Sequence, residues 1–190
     1  MSKFFILTGG IASGKSFVLK EFEKHGFKII DSDAIVSSLY RNKFVKSKIL
    51  KEFGTVNKSE IGEIIFSSLK KRKKLESILH PFVFKEIKLN LLKFKKSQIP
   101  IIVDIPLFFE LKSKYFLKHS GVIVIKCFKK NQIQRLLKKG FSKKQAFLRI
   151  NSQMPLNKKL NKADYIINNS KDKKFALFEV RKLVKVLLYE

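Results

Sequence analysis

The chain has 190 residues, of which 45% are hydrophobic, and it carries a formal net charge of +27. A chain of this length and apolar content buries roughly 70% of its unfolded surface, which excludes disorder and predicts one compact domain. Its single cysteine, Cys127, excludes an intramolecular disulfide, as expected in a reducing compartment. No apolar run reaches the roughly 18 residues of a membrane span, and the first apolar run is too short for a signal peptide. We therefore expect a cytoplasmic protein without a membrane partner.

The positive charge comes mainly from lysine, since 37 of the 42 basic residues are Lys and only 5 are Arg. Clustered cations bind nucleic acid by releasing counterions, so a nucleic-acid-binding protein is one interpretation of this charge. The lysines are spread along the whole chain, however, and an AT-rich genome favours Lys and Phe codons without any polyanion partner. In both cases the positive field attracts anionic substrates, and we expect no specific nucleic acid partner.

Five short apolar runs predict buried strands, because both faces of a strand in a parallel sheet are covered. They lie at residues 4–7, 27–30, 99–105, 121–125 and 165–167. Helical periodicity separates them, at residues 15–25, 132–139, 142–153 and 173–188. Ser142 and Gln145 match a capping box at the start of one of these helices. The alternation predicts an α/β fold of three layers around a five-stranded parallel sheet.

The regions between these strands predict two additions to the sheet. Residues 34–96 hold several helical patterns and no convincing strand, so they are interpreted as a helical insertion. Residues 131–160 are polar, basic and helical, which is typical of a mobile lid. The core of the domain then consists of residues 1–33, 97–130 and 161–190. Pro81 disfavours helical backbone in the residue before it, so a helix is expected to end at His80.

The strongest motif is the segment Gly9-Gly10-Ile11-Ala12-Ser13-Gly14-Lys15-Ser16, here called the phosphate loop. It matches G-x-x-x-x-G-K-[ST] between a strand and a helix. Gly9 and Gly14 let the backbone turn so that N–H groups face phosphate oxygens, and the following helix adds its positive end. Lys15 is expected to contact the β- and γ-phosphates, and the Ser16 hydroxyl to ligate Mg²⁺. The motif predicts nucleotide binding and leaves kinases, GTPases and motors open.

Three carboxylates follow predicted strands, at the edge where parallel sheets bind ligands. Asp104 ends the third strand and is interpreted as a Walker-B-type partner of Mg²⁺, acting through water. Asp31 suits a helix cap as well as a ligand role. Asp33 lies just past a strand expected to neighbour the strand of the phosphate loop. We expect its carboxylate to orient an acceptor hydroxyl and to take its proton.

Seven segments of the chain, taken in order, resemble those of the dephospho-CoA kinases. They are residues 8–16, 31–35, 75–81 with a His-Pro pair, 104–110 with Pro-Leu-Phe-Phe-Glu, 132–136, 149–156 and 163–170 with Ala-Asp-Tyr-Ile-Ile-Asn. The resemblance extends over residues 4 to about 186. It implies ATP-dependent phosphorylation of the ribose 3′-hydroxyl of dephospho-CoA, giving CoA and ADP.

The resemblance also implies a fold and a set of site residues. The fold is that of P-loop kinases, with a helical substrate-binding insertion and a helical lid. The phosphate loop would hold ATP with Mg²⁺, and Asp33 would be the base or the group that orients the hydroxyl. Arg135 and Arg149 would be lid arginines, and His80 would line the substrate cleft. The protein is expected to be a monomer that binds ATP and dephospho-CoA.

The chain departs from the family pattern in four places: Ala12, Phe17, the pair Ser37-Ser38, and Lys139. Phe17 stands where a small Thr is common, and Ser37-Ser38 stand where an Ala-Arg pair often follows the second strand. Ala12 stands where Gly is usual, and its methyl group is tolerable only if φ there is negative. Lys139 stands where a second lid Arg is common, and Lys supplies charge without a bidentate fork. Two alternatives remain open: another small-metabolite or nucleotide kinase of the same fold, and a nucleic-acid-binding P-loop ATPase.

Overall fold

The computed structural model describes residues 3–111 and 118–189. The strands there are β1 (Phe4–Gly9), β2 (Lys28–Asp31), β3 (Ile101–Asp104), β4 (Gly121–Lys126) and β5 (Tyr165–Asn168). They form a five-stranded sheet in the order β2-β3-β1-β4-β5. The sheet is parallel and carries helices on both sides, which confirms the predicted fold class.

The helices belong to two compact units of the chain. They are α1 (Lys15–Lys24), α2 (Ser32–Leu39), α3 (Lys43–Phe53), α4 (Lys58–Ser67), α5 (Leu69–Lys93), α6 (Lys129–Leu137), α7 (Lys143–Asn151), α8 (Leu156–Leu160) and α9 (Lys173–Tyr189). The first unit, up to Ile30 and from Phe94 onward, holds α1 and α6 to α9 with the sheet. The second unit, Asp31–Lys93, holds α2 to α5. None of the helices in the described part of the chain has the length and apolar character needed to cross a bilayer.

The core of the first unit lies where α1 and α9 cover one face of the sheet. Phe5 and Leu7 of β1 point into it from alternate positions of the strand, as the period of two requires. The buried cluster comprises Phe5, Leu7, Val18, Phe22, Phe27, Ile102, Ile123, Ile125, Ile167, Val180, Leu183, Val184 and Leu187. This packing fixes the carboxyl end of β1, from which the phosphate loop starts.

The position of β2 corrects one prediction. Asp33 was expected to follow a strand that neighbours the strand of the phosphate loop, but β3 lies between β2 and β1. All four residues of β3 are buried, whereas β2 exposes Lys28 and Asp31. An edge strand is covered less completely than a central parallel strand, so the exposed ends of β2 agree with its edge position.

The long helix α5 organises the second unit, because α2, α3 and α4 all pack against it. Pro81 lies inside this helix, so the prediction that a helix ends at His80 is wrong. Proline removes one backbone hydrogen bond, but the side chains on both sides of it are anchored. Leu75 and Leu79 before it, and Val83 after it, are buried. Packing therefore outweighs the local preference of the chain.

Helix ends agree with the sequence in one case and differ in others. Ser142 and Gln145 form the predicted capping box of α7, with both hydrogen bonds present. The helix α6 begins at Lys129, three residues before the predicted start at residue 132, and α8 was not predicted. A helix of only five residues such as α8 is too short to show a clear period.

A buried carboxylate on α1 joins this helix to α9. Glu21 is 4% exposed, and its carboxylate lies 3.2 Å from Lys24 Nζ, 3.6 Å from His25 Nε2 and 3.6 Å from Arg181 Nε. Burial by itself raises the pKa of Glu21. The hydrogen bond from Lys24 and the charges of Lys24, Arg181 and His25 together outweigh burial, and the pKa lies below its ordinary value of 4.5.

We predict that Glu21→Gln lowers the free energy of unfolding at pH 7 by about 1 kcal/mol, because the cations lose their partner. The folded-state pKa is depressed, so the stabilisation is present above pH 4.5 and is lost as pH falls through the folded pKa. Urea unfolding at pH 7 and at pH 3 measures this, with Glu23→Gln on the exposed side of α1 as the control. Equal effects of both substitutions at pH 7 would contradict the role of Glu21.

Candidate active site

The phosphate loop joins the end of β1 to the start of α1, at the carboxyl edge of the sheet. The Ser13 N–H donates to Gly10 O at 3.1 Å and closes a turn, and Gly14 caps the helix. Lys15 and Ser16 open α1, with Lys15 partly exposed and Ser16 exposed. The first N–H groups of a helix have no partner within it, so this end can bind an anion.

Two residues of the loop have left-handed backbone. Gly14 has φ of +94° and Ala12 has φ of +54°. The condition set for Ala12, a negative φ, is therefore wrong, and its methyl group sits in a conformation that costs an L-residue roughly 1–2 kcal/mol. Such strain persists only where the surroundings hold the backbone in place.

Three side chains hold the carbonyl groups of the loop. Gln132 Nε2 donates to Ile11 O at 2.6 Å. Arg135 Nη1 donates to Ala12 O at 3.1 Å and to Ser13 O at 2.9 Å. Asn169 Nδ2 also donates to Ser13 O, at 2.7 Å. We call Gln132, Arg135 and Asn169 the carbonyl clamp.

Arg135 is therefore placed against the backbone of the phosphate loop. Its Nη2 donates to Asn169 O at 3.1 Å, and its Nη1 lies 3.5 Å from Cys127 Sγ. Burial raises the pKa of the Cys127 thiol, and the nearby Arg135 charge offsets this only in part. The thiol is neutral at physiological pH and packs as a core residue, as expected of a buried cysteine.

Gln153, which follows α7, contacts the loop from another direction. Its Oε1 accepts the Ile11 N–H at 2.7 Å. Gln132, Gln153 and Asn169 lie inside three of the family segments, but no role was predicted for them from the sequence. Gln132 and Asn169 are 7% and 5% exposed, but burial of an amide at these positions leaves no local sequence pattern.

Asp104 lies next to the loop strand. It ends β3, is buried, and is in register with Leu7 of β1. The Thr8 hydroxyl donates to Pro106 O at 3.0 Å, so the segment after Asp104 is tied to β1 just before the loop. Asp104 thus ends a strand that neighbours β1, the strand that leads into the phosphate loop.

The candidate residues of the second unit are described within that unit. Asp31 Oδ1 accepts the N–H groups of Asp33 at 2.8 Å and Ala34 at 3.0 Å, so Asp31 is the cap of α2. Asp33 is exposed in the first turn of α2. His80 lies in the middle of α5, where its ring packs edge-on against Phe84 with centroids 6.2 Å apart.

The segment interpreted as a lid consists of α6, α7 and α8. The Arg149 guanidinium lies over the Phe141 ring, 4.5 Å from its centroid, and Lys139 is exposed after α6. Glu110 Oε1 accepts the Met154 N–H at 3.0 Å and pairs with Lys159 Nζ at 3.0 Å. Lys159 is 1% exposed. The far end of the segment is therefore attached to Glu110, which follows β3, by a hydrogen bond and an ion pair.

A cavity of about 410 Å³ lies between the loop and this segment. Its polar lining includes Gln132, Gln153 and Lys159, and Gly10 forms part of its wall. The volume falls in the range of small-molecule pockets. Helices α7 and α8 also line the cavity, which therefore adjoins the start of the phosphate loop at Gly10.

We predict that Ala12→Gly raises the free energy of unfolding by about 0.5–1 kcal/mol, because glycine adopts a positive φ without strain. The control is Ala163→Gly, at a residue with negative φ in the same unit. It should lower the free energy of unfolding by a similar amount through the entropy of the unfolded chain. Chemical denaturation measures both, and a loss of stability in both variants would show that Ala12 is unstrained.

The chain is similar to known proteins over most of its length. The family model for dephospho-CoA kinase matches residues 4–174. The dephospho-CoA kinase of Sulfurimonas denitrificans is 37% identical over 185 residues, covering 94% of this chain and 91% of that protein. The solved dephospho-CoA kinase from Campylobacter jejuni superposes with a TM-score of 0.70 at 29% identity, covering 97% of this chain and 96% of its own. A shikimate kinase from Bacteroides thetaiotaomicron, at 16% identity and a TM-score of 0.53 over 97% of this chain and 98% of its own, shares the fold. The chain belongs to the dephospho-CoA kinase family.

Proposed function

We propose that the protein transfers the γ-phosphoryl group of ATP to the ribose 3′-hydroxyl of dephospho-CoA, giving CoA and ADP. The observation that carries the proposal is the phosphate loop, whose carbonyl groups are held so that N–H groups are available on the opposite side. The membership of the chain in the dephospho-CoA kinase family supports the acceptor.

Phosphoryl transfer depends mainly on positioning and on neutralising charge. The loop N–H groups and the N-terminus of α1 bind the phosphates, and the Lys15 ammonium adds a point charge at the β- and γ-phosphates. These donors are fixed before the reaction, because the loop is tied to β1, α1, α6 and the segment after β5. Pre-arranged donors stabilise developing charge without having to reorient.

Asp33 is the group proposed to orient the acceptor hydroxyl and to take its proton. Asp31 caps α2, so the helix does not require Asp33 for that purpose. A carboxylate that accepts a hydrogen bond from the hydroxyl aims its oxygen in line with the transferring phosphorus. His80 of the same unit is proposed to line the acceptor cleft.

The donors at the carboxyl edge of the sheet suit Mg²⁺, which prefers oxygen ligands. They are the exposed Ser16 hydroxyl and the buried Asp104 carboxylate. Among the described residues no group of three or more His, Cys, Asp or Glu side chains could hold a metal ion. A Mg²⁺ ion at this edge would be held by these two oxygen ligands together with water and substrate phosphates, and it would neutralise phosphate charge during transfer.

Residues 131–160 are proposed to act as the lid over the reacting groups. Arg149 on α7 is proposed to bring its guanidinium to the phosphates when the lid closes, and Arg135 is proposed to act from its place against the loop. Closure excludes water, which protects ATP from hydrolysis before the acceptor is bound.

The test is transfer from γ-labelled ATP to dephospho-CoA, with the product identified by mass. We expect labelled CoA that has gained one phosphoryl group, and no transfer to a dephospho-CoA analogue that lacks the 3′-hydroxyl. Shikimate, gluconate and nucleoside monophosphates serve as competing acceptors, and DNA tests for stimulated ATP hydrolysis. A higher kcat/KM for any other acceptor, or turnover that needs DNA, would overturn the proposal.

We predict that Asp33→Asn lowers kcat by about 10²–10⁴-fold, the usual contribution of a positioned base, while the Kd for ATP changes little. Asp31→Asn is the matched control. It removes the same charge two residues away, and asparagine is an equally good helix cap. Steady-state kinetics and ATP titration separate the two effects, and a kcat equal in both variants would remove Asp33 from the chemistry.

A further inference from the structure

The carbonyl clamp acts on consecutive peptide groups. The carbonyl oxygens of Ile11, Ala12 and Ser13 each accept a side-chain N–H from the clamp. Gln132 and Arg135 come from α6, and Asn169 follows β5. These donors lie 121 to 156 residues away in the sequence, so the contact is built by the tertiary fold.

The clamp determines where the N–H groups of the loop point. The peptide bonds of the described residues are trans, and in a trans peptide C=O and N–H point in opposite directions. Holding the carbonyls of residues 11 to 13 on one side therefore turns the N–H groups of residues 12 to 14 to the other. The Ser13 N–H closes the turn onto Gly10 O. The N–H groups of Ala12 and Gly14 remain directed away from the clamp.

Two glycines of the loop lie where the clamp side chains approach the backbone closely. A Cβ on Gly10 would lie 2.5 Å from Gln132 Nε2. A Cβ on Gly14 would collide with Asn169 Nδ2 and would lie 3.2 Å from Arg135 Nη1. Both glycines are thus sites where a clamp side chain approaches the backbone. The clamp also explains how Ala12 is kept at a positive φ, because its carbonyl oxygen is fixed by Arg135.

We propose that Asn169, together with Gln132 and Arg135, is a positioning residue of the reaction, which turns the N–H groups of the phosphate loop toward the nucleotide phosphates. The proposal rests on the proposed function only in assuming that the loop binds phosphate. Asn169 touches neither substrate nor metal in this role. It acts through the Ser13 carbonyl, and its amide donor is required.

The chain offers a matched control for Asn169. Asn131 Nδ2 donates to Ser170 O at 2.7 Å, and so ties α6 to the segment after β5 with the same chemical group. This hydrogen bond joins the same two elements as the clamp but makes no bond to the phosphate loop. Loss of Asn131 therefore reports general loosening, and loss of Asn169 reports loosening plus the effect on the loop.

The experiment measures the Kd of inorganic tripolyphosphate and of ATP, without acceptor, for the wild type, Asn169→Ala, Gln132→Ala and Asn131→Ala. Thermal unfolding of each variant is measured in parallel. We expect Asn169→Ala and Gln132→Ala to weaken both ligands by the same factor of about ten, the effect of one misplaced hydrogen bond. Asn131→Ala should leave both Kd values within about twofold of the wild type.

Two results would overturn the proposal. In the first, Asn169→Ala and Gln132→Ala bind tripolyphosphate as the wild type does. In the second, Asn131→Ala weakens it as much as they do, which would assign the effect to stability alone. Gln132→Ala on α6 keeps the test decisive if Asn169→Ala does not fold. Because no acceptor is present, either result is independent of whether dephospho-CoA is the substrate.

Discussion

Every peptide that offers its N–H group to a phosphate must place its carbonyl oxygen on the opposite side, and a buried carbonyl needs a donor. This constraint shapes the phosphate loop more than its glycines do. The donors come from α6 and from the segment after β5, and β1 and α1 set only the ends of the loop. The site is therefore a product of the whole first unit.

The loop itself is a strained piece of backbone. Ala12 has a positive φ, which costs an L-residue energy. Gly14 also has a positive φ, which glycine adopts without strain. Three side chains on the carbonyl side and Gln153 on the Ile11 N–H offset that cost. A binding surface kept in a disfavoured conformation by its surroundings needs no rearrangement when the ligand arrives, which is the physical basis of pre-organisation.

The sequence predicted features that depend on local pattern. Apolar runs gave the five strands of the sheet, the capping box was found, and the glycines and Lys15 marked the loop. Features decided by tertiary contact were missed or wrong. The edge position of β2 follows from the insertion of β3 between β1 and β2. Pro81 is accommodated inside α5 because the side chains on both sides of it are packed. The clamp joins residues more than 100 positions apart, and no spacing rule connects Gln132 or Asn169 to Ser13 or Ile11.

The ion pair between Glu110 and Lys159 limits how far the end of the segment 131–160 can move. Lys159 is buried and its ammonium pairs with the Glu110 carboxylate, which also accepts the Met154 N–H, so both ends of the stretch from Met154 to Lys159 are attached to Glu110. Helix α6 is likewise attached to the phosphate loop, through Gln132 near its start and Arg135 in its last turn. Between these two attachments lies the turn that joins α6 to α7, with Gly140 at φ of +86°. Opening of the lid as proposed above would then move the α6–α7 turn more than its two attached ends, and its rate would respond to substitutions in that turn more than to changes at the attachments.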